Sequence, residues 1–293
     1  MAQQKVQLRK IRDFGDNFSD TFQFIRQEFK PLATSFLLIS GIFILAYAVV
    51  AAMFQQAAFT GLINLITKGV YTNTEVSTIL TPTYFLMIGL NILSLTAMRT
   101  VVAAYMHHYD TYNASPTAQQ VWQIFIRHLL IVFIFSIIRF VLVIAGCFLC
   151  FAPGIYLFTV LMPFSNAIVS EDLSIGDAFS RCFDLIKENF WISLAVYIVG
   201  FVIFWVCSAS VSFSVGLIVG LISYFSTKEV NTTVPIVTGV LSFIQYLFYL
   251  IFFISASIHY YNLVEIKDGT GLARRLENLG SNINPNTEIE EQY

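Results

Sequence analysis

Phe14–Phe29 reads FGDNFSDTFQFIRQEF, and 161 positions later Ile175–Phe190 reads IGDAFSRCFDLIKENF. Seven of the sixteen aligned positions are identical without a gap, where composition alone would give roughly one or two. Each copy leads into a long apolar segment. The reading that decides the fold is therefore a duplicated membrane unit: an amphipathic helix lying on the bilayer, then a helix crossing it.

Within the first copy, Phe14, Phe18, Phe22, Ile25 and Phe29 recur at helical spacing, and Ile175, Phe179, Phe183, Ile186 and Phe190 repeat it. That spacing gathers the five on one helical face, with Asp20, Gln23 and Gln27, or Arg181, Asp184 and Glu188, on the other. Asp13-x-x-Asp16 and Ser174-x-x-Asp177 resemble capping boxes, in which a short side chain accepts from the free amides of the first turn. Lys30-Pro31 is expected to end the first helix, with Pro31 opening the next. Two uses of the apolar face stand side by side. It docks to lipid or a partner protein at the interface, or it packs under the bundle between spans.

Over the whole chain, 57% of the 293 residues are hydrophobic and 12% are charged. A soluble domain carries about 25% charged residues, so a polytopic membrane protein is expected. The net charge of −2 and the lack of a dense basic patch exclude a nucleic-acid partner. No apolar h-region stands in the first 30 residues, so no cleavable signal peptide is expected.

Six apolar segments are long enough to cross a bilayer, with cores near 34–56, 83–106, 129–149, 154–170, 192–222 and 235–260. Pro163 is expected to bend the fourth, and Pro153-Gly154 to mark a tight turn before it. Lys5, Arg9, Lys10, Arg12, Arg26, Lys30, Arg127, Arg181, Lys187, Lys267, Arg274 and Arg275 fall on one side, against Lys68 and Lys228 on the other. Positive charge thus predicts cytoplasmic termini. The chain reads as one all-α membrane domain, 1–279, and a polar, acidic, disordered tail, 280–293. The internal repeat covers 14–110 and 175–262, with a middle hairpin at 117–170. Met106-His107-His108-Tyr109-Asp110 and Ile258-His259-Tyr260-Tyr261-Asn262 end the second and sixth spans at an offset of 152. Both copies enter from the same side, so the implied symmetry axis runs along the membrane normal.

Residues 152–191 carry a Pro153-Gly154 turn, a span, the acidic pair Glu171-Asp172, and a helix with Ala178, Arg181 and Leu185 at set spacing. This pattern resembles the glycerophosphodiester phosphodiesterase membrane-domain-like family of bacterial six-span proteins. Phe179 stands where that family has Leu, and Cys182 where it has Ser. The resemblance implies a six-helix bacterial inner-membrane protein. Some family members fuse this region to a soluble phosphodiesterase domain. These 293 residues hold no such domain, so that activity is not carried over.

No Ser–His–Asp, Walker, Rossmann or H-E-x-x-H pattern appears, and neither an enzyme nor a cofactor is expected. Cys147-x-x-Cys150 lacks a second ligand pair and reads as packing. Ser208, Ser210, Ser212 and Ser214, followed by Gly216-x-x-x-Gly220, read as a close helix contact or a polar cavity wall. His107, His108 and His259 read as interface anchors, with a metal site as the alternative. Arg139, deep in the third span, is the most unusual residue. A cation there costs about 2.5–3.5 kcal/mol and must face the bundle or water. No span core supplies a carboxylate, so its partner is a carbonyl, a side chain such as Asn91, Asn166 or Gln245, or the phosphate of a lipid or solute. Arg99 is the second candidate anion contact, with snorkelling to the cytoplasmic surface as its plainer role. Two functions follow. The first is a non-enzymatic scaffold organising membrane lipid, or a protein partner at the cytoplasmic face. The alternative is a carrier or channel-like protein for an anionic or amphipathic substrate, using Arg139.

The charge asymmetry makes a direct prediction. In a cysteine-free background, Lys68→Cys and Lys228→Cys react with an impermeant maleimide from the periplasmic side. Lys10→Cys and Arg274→Cys react only after permeabilisation. The reverse pattern refutes the orientation.

Overall fold

The computed structural model describes the backbone of residues 5–68, 81–225 and 230–273, with side chains of 55–68, 219–225, 230–236, 238, 239 and 242 left aside. Lys228, Arg274, Arg275 and the tail 280–293 lie outside the described residues, as do the Lys68 side chain and the surroundings of Gly220. The described elements are α1 (Phe14–Lys68), α2 (Pro82–Tyr112), α3 (Ala118–Leu149), α4 (Phe151–Val160), α5 (Phe164–Glu171), α6 (Ile175–Ile186), α7 (Phe190–Phe225) and α8 (Val230–Asp268). No strand occurs among them. Six segments are long and apolar enough to cross a membrane: α1, α2, α3, α4 with α5, α7 and α8. Helices are the form such sequences take in lipid, because each satisfies its own backbone donors and acceptors.

The molecule is thus an all-α bundle built for a membrane. α1 packs chiefly on α8 and α2, α3 on α2 and α4, and α7 on α8. α5 lies against α2, α3 and α6.

Two expectations about breaks are corrected. Pro31 does not end the first helix; it lies inside α1, which runs on without interruption. An interior proline costs about 3 kcal/mol. Glu28, Leu32 and Phe36 bury on either side of it, and that shared packing holds the helix together. Only the second copy divides, with α6 ending at Ile186 and α7 starting at Phe190. The link before the fourth span is also tighter than Pro153-Gly154 suggested. Cys150 alone, in extended backbone, separates α3 from α4, and both residues lie in the first turn of α4. Gly154 serves close approach instead: a Cβ there would stand 2.8 Å from the Cys147 amide nitrogen. Pro163 does interrupt the fourth span, where α4 gives way at 161–163 and α5 begins at Phe164.

Ion pairs gather at one end of the bundle. Arg9 meets Asp110 at 2.8 Å, Arg12 meets Asp20 at 2.7 Å, and Arg181 bridges Glu171 and Asp268. The backbone amide of Arg12 donates to Asn262, the position that corresponds to Asp110 in the other copy. The segment before α1 is therefore tied to the ends of both α2 and α8. Burial alone would lower the Arg9 pKa, but its bond and attraction to Asp110 outweigh that and raise it. At the end of α8, Gly269 takes a left-handed φ of +62°, and Glu265 accepts from the amides of Gly271 and Leu272 beyond it.

The two amphipathic faces are used differently: the first is turned largely outward, whereas the second is packed against the core. In the first copy Asn17, Thr21, Phe24 and Glu28 are buried, while Phe22 is 44% exposed and Phe29 58%. Asn17 donates to the Ser255 hydroxyl at 3.1 Å, and Glu28 accepts from Tyr105 at 2.6 Å. The polar side chains find partners inside, and the phenylalanines face outward. Phe18 and Ile25 are half-buried against the core. In the second copy Ala178, Cys182 and Leu185 are buried at the positions equivalent to Asn17, Thr21 and Phe24. There Phe179, Phe183 and Phe190 are partly covered, Phe183 and Phe190 by Tyr156, and Ile186 is fully buried. Ser174 caps α6 as expected, accepting from the Asp177 amide.

The α3–α4 contact predicts that Gly154→Ala lowers the thermal unfolding midpoint in detergent, an overpacking cost of about 1–3 kcal/mol. Gly41→Ala, with open space around the added Cβ, leaves it unchanged or higher. Burial also pushes the Cys182 thiol up to about 12, so it stays protonated at pH 8. Cys182 is expected to resist N-ethylmaleimide at pH 8 until the protein is unfolded, read by mass spectrometry; modification of the folded protein overturns its burial.

Candidate functional site

The break at 161–163 has a consequence inside the bundle. α2 packs along α5, whereas α4 packs on α3 and α7. A cleft of about 200 Å³ is left between α2, α3 and α4. Thr96 and Arg99 line it from α2, Ser136, Arg139 and Phe140 from α3, and Phe158 from α4. The hydroxyls of Thr96 and Ser136 bond each other at 2.9 Å and fix the register of α2 on α3. Arg99 and Arg139 each follow their member of this pair by three residues, one helical turn further along the chain.

Both guanidinium groups turn to the same aromatic ring. The Arg99 Cζ lies 5.8 Å from the Phe164 centroid, and the Arg139 Cζ lies 5.9 Å from it. Arg99 also lies over Phe253 at 5.1 Å, and Arg139 over Phe158 at 5.1 Å. Phe164 is stacked on Phe135 at 4.6 Å, which holds the ring in place. Such cation–π contacts contribute about 0.5–2 kcal/mol each. They use the face of the ring and leave the N–H donors in the guanidinium plane without acceptors.

Hydrogen bonding to those donors is sparse. The Nε atoms of Arg99 and Arg139 are buried with no partner among the described residues. Arg139 reaches the Met162 sulfur at 3.4 Å, a weak acceptor. No carboxylate among the described residues pairs with either arginine. The three side chains expected to partner Arg139 are engaged elsewhere. Asn91 donates to Tyr246, Asn166 accepts from Ser257, and Gln245 donates to Ser212.

Arg99 does not snorkel. It lies thirteen residues before the end of α2, which is about 20 Å of helix, so its side chain falls short of the polar end. It turns inward and also borders a small polar pocket formed with Ser165, Asn166 and Ser257. Sequence reading named both arginines but gave no sign that they meet. Thr96, Ser136 and Phe164, which bring them together, were missed. A polar residue within each span, Thr96 and Ser136, is visible in the sequence, but their pairing is not.

The other candidates do not converge. His259 bonds Ser193 at 2.9 Å and packs edge-on against Tyr197, while His108 lies tilted against Tyr112. Among the described residues no group of three or more His, Cys, Asp or Glu is placed to hold a metal. Ser210, Ser212 and Ser214 donate to carbonyls of their own helix, and Gly216 has open space where a Cβ would stand. The close helix contact expected at Gly216 is thus found elsewhere: at Gly200, where a Cβ would stand 3.1 Å from Phe252, and at Gly154.

No family model matches this chain, and neither a curated protein nor a solved structure matches it.

Proposed function

We propose that this integral membrane protein binds an anionic amphiphile in the cleft between α2, α3 and α4, in the manner of a carrier or lipid-binding protein. One observation carries the reading: two half-buried arginines, each with a buried Nε and without a carboxylate partner among the described residues, border a cleft that reaches the bundle surface. Each cation costs about 2.5–3.5 kcal/mol to place in a membrane, and their contacts inside the bundle leave donors unmet. A bound anion supplies the acceptors.

A scaffold role is the second reading. It is favoured by the outward row of Phe14, Phe22 and Phe29 at the polar end, an apolar face suited to lipid or to a partner protein. The polar end is taken as cytoplasmic and the membrane as a bacterial inner membrane, on the charge asymmetry of the loops and the family resemblance of residues 152–191. Burial at equivalent positions in 14–29 and 175–190 supports the duplication.

Arg139→Leu and Arg99→Leu test the choice. Both variants insert, with a thermal midpoint in detergent equal to or above that of the wild type, because apolar packing often replaces a buried charge without loss. The anionic lipid that copurifies with the wild type, identified by mass spectrometry, is lost from both. Unchanged copurifying anions in both variants would sink the cleft reading and leave the scaffold.

A further inference from the structure

We infer that the anion held in the cleft is a terminal phosphate bearing two negative charges, carried by a membrane lipid that slides in sideways beside Phe140. The inference rests on the anion-binding reading above and narrows it to one ligand chemistry.

Charge comes first. Arg99 and Arg139 place two positive charges around one ring, with no carboxylate to offset either among the described residues. A phosphodiester headgroup such as phosphatidylglycerol brings one negative charge and leaves a cation unbalanced. A phosphomonoester brings nearly two at neutral pH, on one compact group with three acceptor oxygens. Guanidinium forks match that geometry better than any other side chain. The hydroxyls of Thr96 and Ser136 line the same cleft, but their protons go to each other and to the carbonyls of Ile92 and Val132, so the guanidinium groups are the donors a phosphate meets there.

Size and access come next. Pockets for whole small molecules run to about 300–1,000 Å³. At about 200 Å³ this cleft accommodates a phosphate and its glycerol but not acyl chains. Phe140, in its wall, is 43% exposed, and Ile137, Val141 and Ile144 around it are exposed on the same flank of α3. A lipid whose phosphate sits between the arginines has an apolar flank for its tails. A water-soluble phosphate has no use for that flank.

The titration that matters belongs to the ligand. The ionisable groups around the pair are Tyr197 and Cys182 near Arg139, and Tyr249 near Arg99. The ordinary pKa values of tyrosine and cysteine lie above 8. A phosphomonoester loses its second proton near pH 6. Its affinity for a doubly positive cleft therefore rises from pH 5 to pH 8, whereas a diester shows no such slope.

The test uses the full chain in nanodiscs of zwitterionic lipid doped with phosphatidic acid or with phosphatidylglycerol. Retention is read by native mass spectrometry between pH 5 and pH 8. Expected at pH 8 is about tenfold or greater preference for phosphatidic acid, the effect of one more charge-assisted hydrogen bond, fading towards pH 5. Arg99→Gln and Arg139→Gln should each erase the preference. The wild-type pH profile tests the idea even if a variant fails to fold. Equal, pH-independent retention of both lipids overturns the terminal-phosphate inference but leaves the anion-binding reading standing. Competition by glycerol 3-phosphate or inorganic phosphate at concentrations matching the lipid overturns the lipid source. Retention of no anion at any pH overturns both readings.

Discussion

Charge inside a low-dielectric slab must be neutralised nearby or moved to the edge, and this constraint organises the whole bundle. Arg9, Arg12, Arg127 and Arg181 all sit at one end, each against a carboxylate. Those pairs also tie the chain together. Arg9 and Arg12 hold the segment before α1 across the ends of α2 and α8, and Arg181 joins α6 to the end of α8. Helix ends far apart in sequence are thereby fixed side by side. The long apolar stretches beyond them pack from a defined starting register.

Much of this was legible in the sequence because hydropathy and helix length report directly on a bilayer. The six spans, the break at Pro163 and the Ser174 cap follow from local rules that tertiary contacts did not override. The orientation of the first amphipathic segment was harder to read. An apolar stripe turns inward when water lies outside, but here the outside is lipid or its interface. Asn17 and Glu28 gained partners by turning inward, and Phe22 and Phe29 lost nothing by turning out. Such a choice depends on what α2 and α8 offer, and no single segment encodes it. The uninterrupted helix through Pro31 has the same origin, since burial on both sides of the proline outweighs one missing backbone bond.

The arginine site was half legible. A cation in the middle of an apolar run is visible to any reader, and Arg139 stood out for that reason. Its neighbours were not visible. The crossing of α2 and α3 at Thr96 and Ser136 sets Arg99 and Arg139 within reach of Phe164, a residue that starts α5 only because Pro163 ends the helical run before it. Sequence shows the proline and the cations separately. Only packing shows that the break opens a cleft where the cations meet.

Arg12 supplies the internal comparison that decides how to regard Arg99 and Arg139. Its side chain is fully buried, where those of Arg99 and Arg139 are half-buried. Yet its guanidinium donates to the carbonyls of Gln7, Leu8 and Lys10 and to the carboxylate of Asp20. That is what an arginine kept for structure looks like in this protein: its donors are met and its charge is offset. Arg99 and Arg139 have aromatic faces and one sulfur instead. If they served only to hold α2 and α3 together, leucine would do so without the cost of a charge, and Thr96 with Ser136 already fixes the contact. Two cations with no carboxylate among the described residues, at a surface-reaching cleft, make physical sense when acceptors arrive with a ligand.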